Sequence, residues 1–204
     1  YNKFDEEQTA KVIYTHYGRS AEAAFPIIIY GKPVVSVDTS DYDGSWTSND
    51  VTFTLNSTHK LDGVKYYYNI NGGEWTEMNG DTLTVSESTN ATYAFKSVNS
   101  AGIESDSTQN YAVKIDKTVT SFNLVQDVTE ITNQSYCVKI TDLQVGISGV
   151  KAVYLNGDAI DSQSEFTVTQ NGEYTVKVVS NSQLESEKTI KIENIDTQKP
   201  TVTE

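Results

Sequence analysis

Three aspartates in one short loop are the best metal-ligand candidates in this sequence. Asp38, Asp41 and Asp43 lie just before Gly44, and closely spaced carboxylates suit the hard Ca²⁺ ion. The spacing matches a calcium loop only in part, because no glutamate follows where a bidentate ligand would be expected. The second half of the chain has no matching cluster. We therefore expect a solvated acidic turn, with structural calcium as the alternative.

An aromatic hairpin is the second candidate site. Tyr66, Tyr67, Tyr68 and Trp75 surround an Asn-Gly-Gly turn, and exposed aromatic rings often stack on sugar rings. Alternation along a strand sends Tyr66 and Tyr68 to one face and Tyr67 to the other. Tyr67 and Trp75 are thus the candidate contacts for a glycan or for a host or other extracellular protein. Core and cross-strand packing is the favoured interpretation of the whole set.

The pattern of nucleophiles and bases does not favour catalysis. His16 and His59 lie in different segments, and neither is near a motif that would pair a nucleophile with a base. Glycine-rich phosphate loops and histidine metal spacings are absent from the sequence. We expect no enzyme activity and no cofactor other than the calcium ion considered above.

Cys137 is the single cysteine, so no intrachain disulfide can form. Its place in an alternating strand predicts an outward-facing, unpaired thiol with no neighbouring cation to activate it. A chain without disulfides is typical of a reducing compartment or of bacterial extracellular domains. Richness in Thr, Ser and Asn together with the repeats described below favours the second.

The charge balance disfavours two classes of partner. The chain has 204 residues, with 28 acidic and 15 basic side chains and a formal charge of −13. Such a surface repels phosphate backbones and anionic lipids, so we expect no nucleic-acid binding. The longest apolar run, Phe25 to Tyr30, is strand-sized and contains Pro26, so we also expect no membrane insertion.

A duplicated segment sets the organisation of the chain. Residues 92–105 match residues 173–186 at a spacing of 81 positions, which aligns Tyr93 with Tyr174, Lys96 with Lys177 and Glu104 with Glu185; Ile115-Asp116 recurs as Ile195-Asp196. The predicted domains are a partial unit at residues 1–32, full units at 33–116 and 117–198, and the start of a further repeat at 199–204.

Period-two alternation identifies the elements within each unit. Val51, Phe53 and Leu55 alternate with threonines, as in a half-buried strand. About seven short strands per full unit, with turn signals every 8 to 12 residues, predict an immunoglobulin-like sandwich. We interpret residues 1–32 as the closing hairpin of a truncated domain. The predicted fold is all-β, with tandem immunoglobulin-like β-sandwich domains in an extended array.

Several segments carry a family resemblance. Residues 46–55 (WTSNDVTFTL), 62–75 (DGVKYYYNINGGEW), 91–105 and 113–119 resemble the tandem bacterial Ig-like repeats of secreted and cell-wall proteins, especially those of Gram-positive bacteria. The resemblance covers both full units. It implies an extracellular or cell-surface location, as part of a longer multidomain chain. The second unit departs from the pattern, because Ile131 replaces Trp46, Gln183 replaces Gly102 and Trp75 has no counterpart.

Three functional hypotheses follow. The first is a non-catalytic stalk or spacer that displays a binding or catalytic head, with adhesive contacts of its own. The second is a carbohydrate- or host-protein-binding module that uses the Tyr67/Trp75 hairpin. The third is an accessory region of a larger secreted glycoside hydrolase. Short linkers favour the first hypothesis, for which we expect an elongated monomer.

Overall fold

The computed structural model describes residues 4–199 and 201, which form sixteen β-strands and one 3₁₀ turn. The all-β prediction is confirmed. The described chain divides into two compact units. The first contains the described residues up to Gly44, Val51–Val85 and Ala91–Val113; the second contains Ser45–Asp50, Ser86–Asn90 and the described residues from Lys114 onward. No described helix is long and apolar enough to span a membrane.

The chain begins with a two-stranded antiparallel hairpin. Strands β1 (Glu7–His16) and β2 (Arg19–Ile28) pair in regular register as far as the last pair, His16 with Arg19. Tyr17 and Gly18 form the loop, with φ of 45° and 74°. Two consecutive positive φ values give the twist that a two-residue hairpin needs.

A three-stranded and a four-stranded sheet follow the hairpin, in the orders β3-β4-β7 and β6-β5-β8-β9. Phe53 on β4 packs its ring against Phe95, Tyr93 and Tyr111 of the other sheet, at centroid distances of 4.9, 5.9 and 5.8 Å. These aromatic contacts join the two sheets as a sandwich. The strands are β3 (Val35–Asp38), β4 (Val51–Ser57), β5 (Val64–Ile70), β6 (Thr76–Glu77), β7 (Thr82–Val85), β8 (Thr89–Asn99) and β9 (Tyr111–Ile115).

The same three-on-four architecture is repeated in the rest of the chain, in the orders β10-β11-β14 and β13-β12-β15-β16. Its core joins residues of both sheets, including Phe122, Tyr136, Val153 and Val176. The elements are β10 (Ser121–Gln126), β11 (Tyr136–Gln144), the 3₁₀ turn η1 (Gly146–Ser148), β12 (Val150–Leu155), β13 (Asp158–Ile160), β14 (Glu165–Val168), β15 (Gly172–Ser180) and β16 (Glu185–Ile192).

The burial pattern follows the predicted alternation along β4 but not along every strand. Val51, Phe53 and Leu55 are buried, as expected for a strand with one face on the core. At the end of β5 the alternation breaks, because Asn69 is buried and Ile70 is 41% exposed. A strict continuation of the alternation from Tyr66 and Tyr68 would have buried Ile70 instead. Ile70 immediately precedes the turn that begins at Asn71, where the chain leaves the sheet.

Candidate functional site

The two aromatic residues proposed as a ligand platform both face Lys96. Tyr67 on β5 lies directly opposite Lys96 on β8, and Trp75 precedes β6. The Lys96 ammonium lies over both rings, 5.6 Å from the Tyr67 centroid and 5.0 Å from the Trp75 centroid. These distances are those of cation–π contacts. The structure therefore brings the two predicted residues together, around a cation that the sequence interpretation missed.

Carboxylates complete this group, which we call the Lys96 cluster: Tyr67, Trp75, Lys96, Glu77 and Glu104. Glu104 forms an ion pair with Lys96 at 2.8 Å, and the Lys96 side chain is only 15% exposed. The Tyr67 hydroxyl donates to Glu77 at 3.0 Å. These contacts fix the orientation of the Tyr67 ring and of the lysine that covers it.

Lys65 adds a second cation beside Glu77, at 2.9 Å. Hydrogen bonds from Lys65 and Tyr67 lower the pKa of the Glu77 carboxyl. The same bonds to Glu77 raise the pKa of Lys65 and of the Tyr67 hydroxyl. All three groups are therefore held in their usual charge states at neutral pH, an arrangement suited to binding rather than to proton transfer.

The second unit repeats part of the Lys96 cluster. Tyr154 lies opposite Lys177 in the sheet, its ring 5.4 Å from the ammonium, and Lys177 pairs with Glu185 at 3.4 Å. A tyrosine, a lysine and a glutamate thus recur at equivalent places in both sandwiches. This recurrence indicates a scaffold role for the triad, whereas Trp75 is particular to the first unit.

Trp75 is half-buried, and so is Tyr67. A half-buried indole leaves part of its surface open to solvent, while Lys96 occupies one of its faces. The Lys96 cluster can therefore offer an aromatic edge with flanking charges to a ligand, but no flat, uncovered platform.

The aspartates proposed for calcium lie in an exposed loop. Asp38 ends β3, and its carboxylate accepts the N–H of Ser40 at 2.9 Å, while Ser40 and Asp41 both have positive φ. Among the described residues, no three His, Cys, Asp or Glu side chains lie close enough together to hold a metal ion. The structure therefore does not bring Asp38, Asp41 and Asp43 together as a calcium site.

The two histidines are held by ordinary side-chain contacts. The Nδ1 atom of His59 lies 2.6 Å from the Asp5 carboxylate, and its ring meets the edge of Phe4. His16 packs against Tyr14 and Tyr17 at the hairpin tip. Each ring is engaged by aromatic neighbours, an arrangement that serves local packing.

Cys137 is a free thiol that lies between the buried Tyr136 and Val138, so it faces outward as predicted, although it is half-buried rather than fully exposed. Its Sγ atom lies 3.4 Å from the Glu165 carboxylate. Burial and this carboxylate raise the pKa of the thiol, and nearby Lys139, a cation that the sequence analysis did not expect, acts weakly in the opposite direction. The net shift favours the protonated thiol.

Asp116 is a functional candidate that the sequence interpretation passed over. It follows β9 directly and is completely buried, although it is charged. Its two carboxylate oxygens accept the N–H of Thr118 at 3.0 Å and the N–H of Ser148 at 2.7 Å. Burial raises the pKa of this carboxyl, but the donors from Ser148 and Thr118 outweigh it and the pKa lies below its usual value.

Gly146, in the same turn as Ser148, makes this contact sterically possible. Its φ is +66°, and a Cβ atom there would lie 2.3 Å from the Asp116 carboxylate and 2.4 Å from the Thr118 hydroxyl. Glycine both adopts that φ without strain and leaves room for the carboxylate. The signal available in the sequence was the recurrence of Ile-Asp at 115–116 and 195–196, which marks a repeated structural aspartate.

Comparisons with known proteins give only distant likenesses. No protein-family model matches the sequence, and no curated protein matches it. Among solved structures, the fibronectin(III)-like modules of Clostridium thermocellum CbhA are 13% identical with a TM-score of 0.33, covering 84% of this chain and 99% of that one.

Two further structures are similar to the same degree. The three N-terminal domains of the bacteriophage RB49 highly immunogenic outer capsid protein are 16% identical with a TM-score of 0.32, covering 78% of this chain and 58% of that one. The FN1–FN3 domains of chicken CNTN1 are 14% identical with a TM-score of 0.31, covering 93% of this chain and 75% of that one.

Proposed function

We propose that this region is a non-catalytic spacer in a secreted or cell-surface protein, placed between that protein's anchoring end and a binding or catalytic head. The observation that carries the proposal is the duplicated three-on-four sandwich. A spacer gains length by repeating one self-contained module, and function on such a scaffold resides in neighbouring domains. A bacterial cell wall is the location that we propose, from the sequence resemblance.

The connection after β9 supports this proposal. Only residues 116–120 separate β9 from β10. Within the second unit this segment is fixed by the buried Asp116 carboxylate, by a hydrogen bond from the Lys117 N–H to Ser88 and by an ion pair between Lys117 and Asp50. These contacts hold the segment in place within the second unit.

Small-angle X-ray scattering of the whole chain tests the proposal. A compact globule of this length would have a radius of gyration of about 17 Å. We expect a clearly larger value and the scattering profile of an elongated monomer. A radius close to the compact value, or a concentration-dependent mass, would contradict a spacer.

A second candidate function is ligand binding at the Lys96 cluster. It is favoured by Trp75, which is half-buried and has no counterpart in the second unit. The ligand that we propose is a glycan or an extracellular host protein, since an aromatic edge flanked by charged groups suits hydroxyl-rich or peptide surfaces.

Tryptophan fluorescence and a glycan array test the binding function. With Trp46→Phe as background, Trp75 is the single tryptophan, and its emission should shift when a bound oligosaccharide covers the indole. Trp75→Ala should abolish array binding, and Tyr154→Ala is the matched control in the second unit. An array that stays blank with the native chain would remove a glycan as the ligand, and failure of extracellular host proteins to bind the native chain would remove the candidate altogether. A role as an accessory region of a larger glycoside hydrolase is compatible with the same scaffold, and is tested by identifying the neighbouring domains.

A further inference from the structure

Asp196 repeats the backbone setting of Asp116. The N–H of Asp196 donates to the carbonyl of Thr132 at 2.7 Å, and the N–H of Asp116 donates to the carbonyl of Thr47 at 2.9 Å. Each of these threonines also forms a parallel bridge with the isoleucine that precedes the aspartate. The backbone at the two aspartates therefore makes the same hydrogen bond and follows the same kind of parallel bridge.

The side chains of the two aspartates agree in one contact and differ in the other. The Oδ1 atom of Asp196 accepts the N–H of Gln198 at 3.0 Å, as Oδ1 of Asp116 accepts that of Thr118 at 3.0 Å. The Oδ2 atom of Asp116 also accepts the N–H of Ser148 and is buried. In the described part of the chain no donor reaches Oδ2 of Asp196, whose side chain is exposed.

A cleft lies beside the exposed carboxylate. It has a volume of about 620 Å³ and is lined by Ile131, Asn171, Ile195 and Gln198 among others. Ile131 is 77% exposed at this cleft. A large exposed aliphatic side chain thus lies next to an exposed carboxylate that accepts a single backbone N–H from the described residues. Protein interaction surfaces combine an apolar contact and a directional polar contact in this way.

The contacts of Asp116 indicate which kind of partner would fit the surface around Asp196. The group that covers Asp116 is the turn from Val145 to Gly149, which offers a backbone N–H and has glycine where a Cβ atom would collide with the carboxylate. A separate copy of this chain cannot supply that turn, because its own Asp116 already engages it. The occupant must therefore bring a turn of the same kind that is still free.

We propose that the Asp196 end is a docking surface for a further β-sandwich module of the same kind, joined to this chain after Asp196, whose glycine-containing turn donates a backbone N–H to Oδ2 of Asp196 and covers Ile131. This goes beyond a spacer role, because it assigns a specific interface and the residues that form it. It also holds whether or not the array acts as a spacer.

A chain extended by one module tests the proposal. Residues 117–204 are placed directly after Asp196, so that Asp196 stands before the added module as Asp116 stands before the second. Amide hydrogen exchange is then measured at the added copy of Ser148. We expect this amide to be protected, and Asp196→Asn to speed its exchange roughly tenfold or more. Asp161→Asn, which removes an exposed carboxylate elsewhere, is the matched control and should leave the exchange unchanged.

Two results would overturn the proposal. One is a folded added module whose Ser148 amide exchanges equally fast with Asp196 and with Asn at that position. The other is failure of the added module to fold, because the same sequence folds when it follows Asp116. Gly146→Ala in the added copy is an independent test, since it should reduce the protection of the added Ser148 amide as Asp196→Asn does.

Discussion

The carboxylate of Asp116 accepts the backbone N–H of Ser148 at 2.7 Å, across 32 positions of sequence. A charged side chain with no exposed surface is rare unless its oxygens are hydrogen-bonded, and here both of them are. The contact ties the segment after β9 to the turn before β12. Its strength and its pH dependence can both be measured.

Asp116→Asn is expected to lower the free energy of unfolding by about 2 kcal/mol, because hydrogen bonds to a charged acceptor are lost and a buried N–H is left without a good partner. Urea unfolding followed by circular dichroism measures the change. Asp196→Asn is the matched control, since Asp196 makes the same local turn but is exposed. Its effect should stay below about 0.5 kcal/mol. Equal effects of the two substitutions would show that the buried contact contributes nothing.

The contribution of Asp116 should also depend on pH. Because the pKa of this carboxyl is lowered in the folded state, its stabilisation is fully present above the unfolded-state pKa of about 3.9 and is lost as the pH falls through the folded-state pKa. The stability difference between the native chain and Asp116→Asn should therefore be constant from about pH 5 to pH 8 and narrow below about pH 4. Urea midpoints at a series of pH values test this. A difference that widens in acid would contradict the sign of the shift.

Gly146→Ala should destabilise the chain by about 3 kcal/mol, because strain at positive φ adds to the collision with Asp116 and Thr118. Gly102→Ala is the control, since its φ is +79° and the Cβ atom that alanine adds there would meet no atom within 4 Å. It should cost only the backbone strain, about 1 kcal/mol. In an Asp116→Ala background, Gly146→Ala should lower the free energy of unfolding by less, because the carboxylate that the added Cβ atom would approach most closely has been removed. Full additivity in this double-mutant cycle would show that the two residues do not interact.

Lys96→Met should cost about 1 kcal/mol, since the ammonium lies over two rings and its side chain is largely covered. Lys177→Met should lower the free energy of unfolding by about half as much. Lys177 contacts one ring, forms a longer ion pair and has a side chain that is 37% exposed. Thermal unfolding of the two variants, with Trp75 emission as a reporter for the first unit, provides the comparison. A larger effect for Lys177 would mean that Trp75 adds nothing to the contact.

Much of the fold could be predicted because the central strands of the two sandwiches bury one face, as β4 does. The alternation of Val51, Phe53 and Leu55 located β4. The edge strands β6 (Thr76–Glu77) and β13 (Asp158–Ile160) were missed. They contain two and three residues and have almost no buried side chains, so no periodic pattern could reveal them.

The candidate sites were harder to predict, because they depend on contacts between distant strands. Tyr67 and Trp75 could be chosen from their residue type and position in the hairpin, but Lys96 reaches them only through the pairing of β5 with β8. Only the recurrence of Ile-Asp at 195–196 distinguished Asp116 from the other acidic residues of a chain with charge −13. Its burial depends on a turn about 30 positions later, which local sequence does not specify.

One irregularity in β12 affects how the repeated sequences can be compared. The register between β12 and β15 shifts between Val150 and Ala152, so Lys151 is the extra residue of a bulge. Gly63-Val64-Lys65 recurs in the sequence as Gly149-Val150-Lys151, and an ungapped match from there places Val153 at the position of Tyr67. Because of the bulge, Tyr154 instead takes the place of Tyr67 opposite a lysine. A gapless alignment of the two units therefore misplaces every later residue of this strand by one.

The same bulge has a consequence for folding of the nascent polypeptide. Neighbouring repeats that resemble each other can misassemble by trading equivalent strands. If β12 paired with β8 in place of β5 without its bulge, every side chain after Lys151 would turn to the opposite face of the sheet. Val153 would then point to solvent and Tyr154 into the core. An exchanged β12 would therefore bury Val153 only if it kept the extra residue, which limits the registers in which strands of the two sandwiches can be exchanged.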